Sequence, residues 1–160
     1  MAAPPRGNTG YSVYFITAAT AQRTPLFRKE SMARLFVEVL FHYRDHKNYL
    51  LHEFVLMPDH FHLLISPTLS LERSLQLIKG GFSYRAKKEL GFAGEIWEKS
   101  FYDRRVREAE DYYNFKQYIR QNPTKRGLVA GFADYPYSSA RAEFAMDEVP
   151  PRLKPSSLTA

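Results

Sequence analysis

The sequence has no cysteine among its 160 residues, so neither a disulfide framework nor a thiolate metal site is available to it. Any metal must be held by imidazole, amide or carboxylate groups. No apolar run approaches the roughly 18 residues that a membrane span needs, and the opening MAAPPRGNTG lacks the apolar centre of a secretion signal. On these features a soluble, cytoplasmic protein is expected. Acidic residues are the minority, 17 against 23 lysines and arginines, and the net charge of +6 points toward a polyanionic partner without establishing one. No internal repeat and no glycine-rich nucleotide-binding loop is evident. What is present is a hydrophobic content of 44%, enough for one core at this length and hardly for two.

Patterning along the chain gives the order β-α-β-β-α-β-α. YSVYFITAAT is aromatic and β-branched on both faces, as in a central strand. Met32, Leu35, Phe36, Val39, Leu40 and Tyr43 follow the spacing of an amphipathic helix. YLLHEFVLM and HFHLLIS read as a hairpin turning at Pro58 and Asp59. Ser70 can cap a second helix carrying the apolar residues Leu71, Leu75, Ile78 and Phe82; Gly80 and Gly81 predict a kink there or a close approach by another backbone. IWEKSFYDRRVRE reads as an irregular strand, and AEDYYNFKQYIRQNP as a third helix stopped by Pro123. This order predicts an α+β fold of ferredoxin-like type, an antiparallel sheet with packed helices. Residues 1–10 are expected to be a flexible N-terminus, 11–141 the folded domain, and 142–160 a mostly flexible C-terminal tail.

Two features carry chemistry. His60 and His62 are two apart on a strand and project from one face, with Phe61 and Leu63 on the other. They are either two ligands of an incomplete metal site or two structural histidines bonded to backbone carbonyls. His42 and His46, four apart on the first helix, form a rival pair without an accompanying acid. On the third helix Tyr118 and Asn122 share a face, as do Tyr113 and Gln117 one turn earlier. If the face of Tyr118 meets the histidine strand, Asn122 supplies a third ligand oxygen and Tyr118 a nucleophilic hydroxyl. A phenol ionises near pH 10, so it would need an electrophile polarised by a cation.

MPDHFHLL, WEKSFYDRRVR, YIRQNPTKRGLV and the following DYPYSSA together resemble the REP-associated tyrosine transposases, a branch of the HUH single-tyrosine transposases. The resemblance runs from about Gly10 to Ala140. It implies the same ferredoxin-like sheet, a divalent cation on the two histidines, and cutting of single-stranded or hairpin DNA, including REP-like palindromes, by one helical tyrosine through a 5′-phosphotyrosine link. By motif the metal ligands are His60, His62 and Asn122 and the nucleophile is Tyr118, which prefers this pair over Tyr113 and Gln117. Glu98, Phe101 and Thr124 depart mildly from the family pattern. The oxygen-rich remainder of such a site suits Mg²⁺ or Mn²⁺. Lys79, Arg85, Arg104, Arg105, Arg107, Lys125 and Arg126 are candidates for phosphate contacts, and Trp97, Phe101 and Tyr102 for base stacking or core. The resemblance is compatible with a monomer or a homodimer, nucleoid-associated when on DNA. A hairpin-binding module that has lost cutting, or a phosphodiesterase using water, are the competing functions.

Overall fold

A computed structural model describes residues 12–154. The elements are β1 (Val13–Ala19), α1 (Glu30–Asp45), β2 (Tyr49–Met57), β3 (His60–Pro67), α2 (Leu71–Leu90), β4 (Tyr102–Val106) and α3 (Ala109–Lys125). The four strands form one antiparallel sheet in the order β2-β3-β1-β4, the ferredoxin-like arrangement expected. β3 and β1 are interior strands, which explains why both read as nearly continuous apolar runs.

Strand alternation divides the interior in two. Ile16, Ala18, Phe54, Leu56, Phe61, Leu63 and Ile65 face α1 and α2, whose apolar stripes complete the larger core. Val13, Phe15, Val55, Met57, Leu64 and Val106 face the other way, onto Tyr112 and Ile119 of α3. His60 and His62 lie in phase with Leu64, and therefore on the α3 face. One irregularity shifts this phase in β2, where the register slips between Leu51 and Glu53. The bulge lets two neighbours serve the α3 side. His52 reaches Ser66 and the edge of Tyr112, while Glu53 meets Arg120 of α3 and the hydroxyl of Ser139.

Four expectations change. α2 is one uninterrupted helix, capped by Ser70 and closed by left-handed Gly91. Of its two inner glycines, Gly81 lies under the ring of Tyr43, where a Cβ would come within 2.8 Å; a side chain, not a second backbone or a kink, claims the space. α3 continues through Pro123 to Lys125, because a proline near the helix end forfeits one hydrogen bond and Arg126 and Leu128 still donate to Asn122 and Pro123 carbonyls. The predicted fourth strand is ordered as a strand only at Tyr102–Val106, with an isolated bridge from Trp97 to Thr20.

The fourth change concerns the tail. Residues 142–154, expected to be mostly flexible, pack onto the domain. Asp147 accepts from the backbone N–H of Leu51 at 2.8 Å and from Arg44 at 3.0 Å, Phe144 stacks on Phe41, and Leu153 is fully buried in the α3-side core. Residues 1–10 and the final six of the tail lie outside the described residues.

Candidate active site

The β2–β3 turn delivers His60 and His62 to the α3 face beside β1. His60 Nδ1 is 2.7 Å from Asp59 Oδ1. A carboxylate only accepts, so this nitrogen carries the proton and Nε2 keeps its lone pair. His62 Nδ1 is 2.7 Å from Thr17 Oγ1, its neighbour across the β1–β3 pairing. Both rings are thus fixed by Nδ1. Burial pushes the His62 imidazole down to about 3, with the positive groups of His60, Arg126 and Arg23 acting in the same direction. Burial also lowers His60, against the opposing pull of Asp59. Neutral imidazole is the metal-binding form.

From the other side, α3 buries a stripe of Tyr112, Ile119 and Asn122 against the sheet. Tyr118 stands one residue off the stripe and so remains at its rim, 43% exposed, with its ring 5.1 Å from that of His62 and 6.0 Å from Phe15. Among the described residues, two buried side-chain polar atoms have no hydrogen-bond partner, His62 Nε2 and Asn122 Oδ1. An unpaired buried polar atom typically costs about 1–3 kcal/mol. That both orphans belong to the sequence-predicted ligands fits a cation with nitrogen and oxygen donors. No third histidine, cysteine or carboxylate joins to make a metal cluster among the described residues, so the remaining ligands would be solvent or substrate oxygens.

His60, His62 and Tyr118 border a cleft of about 500 Å³, with Thr17, Arg23, Arg126, Tyr102, Asn114, Phe15 and Phe115 completing the wall; buried Asn122 is not part of that wall. The cleft's two charged side chains are both arginines, Arg23 and Arg126. A larger cleft of about 630 Å³, between α1 and residues 136–144, carries Glu30, Glu38 and Glu143 against Arg34 and is ill suited to a polyanion.

The other sequence candidates divide. Tyr113 and Gln117 are not in the cleft wall, whereas Tyr118 is. Arg126 is in it, and Arg104 lies over the Phe115 ring at 5.9 Å on the same face. Arg105 pairs with Tyr14, whose side chain serves the opposite core, so alternation turns Arg105 away. Arg107 and Lys125 are exposed near the two ends of α3. Lys79 donates to the carbonyls of Glu98 and Ser100, and Arg85 is paired with Glu89 and Glu38; both have structural partners away from the cleft. Trp97 belongs to the α1/α2 core and donates to the Lys79 carbonyl, while Tyr102 is exposed in the cleft wall. His42 and His46 are occupied locally, His46 Nδ1 lying 2.8 Å from the His42 carbonyl. Sequence reasoning missed Thr17, Asp59, Arg23 and Asn114. Asp59 had a signal, an acid directly before the first histidine; Thr17 required knowing the β1–β3 register.

Comparison with known proteins bears on the family and the fold. Residues 10–122 match the family described as IS200-like transposases, and the chain belongs to that family. A protein of Haemophilus influenzae assigned by name to the REP-associated tyrosine transposases is 29% identical over 96 residues, 52% of this chain. The chain spans about half the length of that curated relative, 54%. The structure of a REP-associated tyrosine transposase bound to a REP hairpin superposes with a TM-score of 0.69 at 21% identity, covering 93% of this chain and 92% of the other. A Deinococcus radiodurans protein described as a transposase gives 0.53 at 22% identity, covering 73% and 95%. At these identities the two structures establish the fold. Among the described residues no helix is long and apolar enough to cross a membrane.

Proposed function

We propose that the chain is a DNA endonuclease and strand transferase acting on single-stranded or hairpin DNA, with Tyr118 as nucleophile. The observation that carries this reading is the orphaned buried atom His62 Nε2, whose ring lies 5.1 Å from that of half-exposed Tyr118 in a cleft bearing two arginines, with a second orphan, Asn122 Oδ1, one turn further along α3. His60, His62 and Asn122 would hold Mg²⁺ or Mn²⁺, which when bound neutralises charge on a phosphate and polarises its P–O bond. The chain's own residues do the rest. Arg126 lines the cleft and neutralises the DNA backbone, and Tyr102 offers a ring for an unpaired base. The Tyr118 hydroxyl gives up its proton to solvent as its oxygen attacks phosphorus, the P–O3′ bond breaks, the departing O3′ takes up a proton from solvent, and a 5′-phosphotyrosine and a 3′-hydroxyl result. One phosphodiester replaces another, so the step is reversible and needs no nucleotide.

Tyr118→Phe removes only the hydroxyl. It should abolish the covalent adduct with hairpin DNA on a denaturing gel and leave hairpin affinity nearly unchanged. Cutting at the parent rate by this variant would assign the attack to water, and absence of cutting by the parent with either metal would reduce the chain to a binding module.

A further inference from the structure

We infer that Arg23 is a further phosphate-binding residue of this cleft, held there by a strained turn; the inference rests on reading the cleft as the DNA-cutting site. Gln22 and Arg23 are consecutive non-glycine residues in the left-handed region, with φ of 56° and 55°. Such a conformation is uncommon for one residue and persists only where its surroundings impose it. Here they do. Fully buried Thr20 donates its hydroxyl to the Thr24 carbonyl at 2.7 Å and its N–H to the Asp59 carbonyl at 3.0 Å, while the Ala21 N–H donates to Ile96 at 2.9 Å. The turn is therefore bolted to the loop that carries the first histidine.

The outcome is a chain of three groups. Arg23 Nε lies 3.3 Å from Asp59 Oδ2, and Asp59 Oδ1 receives His60 Nδ1 at 2.7 Å. Asp59 thus orients the imidazole with one oxygen and the guanidinium with the other. The arginine side chain remains 50% exposed and lines the same wall as His60, His62 and Tyr118. A guanidinium has five donors in a planar fork, and Asp59 takes its Nε edge, which leaves donors for an anion in the cleft. Arg126 lines the cleft as well, so a phosphate beside the histidines meets two guanidiniums. A residue serving only to neutralise Asp59 would not need to project into the cleft.

The test measures binding in the Tyr118→Phe background, which keeps the DNA whole. Two hairpin DNAs with a single-stranded extension are compared, one native and one carrying an uncharged methylphosphonate at the linkage that the parent protein cuts. Arg23→Ala should weaken binding of the native DNA by about 10- to 100-fold, the range of a charge-assisted hydrogen bond, and leave binding of the methylphosphonate DNA little changed. Arg23→Lys should retain part of the difference, and Gln22→Gly, which relieves the turn and keeps the guanidinium, should retain all of it. Equal losses on both DNAs, or no loss on the native one, would overturn the assignment while the parent's adduct left the cutting reading intact. A parent that forms no adduct would overturn both.

Discussion

Replacing Arg120 by methionine strands a carboxylate. Glu53 is 4% exposed and is satisfied by Arg120 Nε at 3.0 Å, Arg120 Nη2 at 3.4 Å and the Ser139 hydroxyl at 2.6 Å. Removing one partner of a buried pair costs about 3–5 kcal/mol, because the other charge stays desolvated. The Arg120 side chain is 28% exposed, so water can partly take its place and the lower end, about 3 kcal/mol, applies. For a chain of this size that is a fall of roughly 6–12 °C in the unfolding midpoint. The double variant Glu53→Met with Arg120→Met removes both charges and should recover most of the loss. Arg120 stands midway between Tyr118 and Asn122 on α3, so the single variant should also slow adduct formation more than it weakens hairpin binding. Thermal unfolding of the two variants, with adduct rates at a temperature where each is folded, decides the matter. A single variant that melts within about 2 °C of the parent, or a double variant no better than the single, would refute a fastening role for the pair.

In α2, Gly80→Ala should raise stability by about 0.5–1 kcal/mol in urea unfolding, since nothing lies within 4 Å of the added Cβ. Gly81→Ala should fail to gain this, its Cβ falling 2.8 Å from the Tyr43 ring, and Tyr43→Leu should restore the gain. Mn²⁺ at a hundredfold excess over its dissociation constant should stabilise the parent by about 2.7 kcal/mol, reversed by EDTA and absent in His62→Ala; an equal shift in the variant would place the ion elsewhere. Metal-free protein should lose stability in two stages on acidification. Burial keeps the His52, His60 and His62 imidazoles below their ordinary value, so their contributions fall away once the unfolded chain begins to take up protons, near pH 6.5. Burial raises the Asp147 carboxyl, but hydrogen bonds from Arg44 and the Leu51 N–H outweigh it and hold the group below the usual range. Its contribution is therefore present above about pH 4 and lost as pH falls through the folded value; Asp147→Asn should reduce that second stage, leaving the part due to Asp59, which is also held low, and should not alter the first.

Local periodicity was enough to read the element order and the shared face of the two histidines. Each of these is set by neighbours within one turn or one strand. Arg23 was hidden because its role depends on a left-handed turn tied to Asp59 and Ile96, far along the chain. Glu53 was hidden because a bulge, which leaves no reliable mark in an apolar run, reverses the face it occupies. The tail misled for a related reason: Asp147 and Leu153 are a single carboxylate and a single leucine in a proline-rich stretch, and they hold by reaching distant backbone and core rather than by any repeat of their own.

That tail and the residues before it do more than fill space. The outer edge of β2 would otherwise present a row of unpaired amides and carbonyls, the kind of template on which a foreign strand adds. Instead Leu56 donates to Tyr137, Ser139 donates to Phe54, and Asp147 accepts from Leu51. The opposite border is β4, where Asp103, Arg104 and Arg105 set charge along the open side. One margin of the sheet is hemmed and the other is repellent, and the strand that bears the histidines lies between them, its register held by a paired strand on each side.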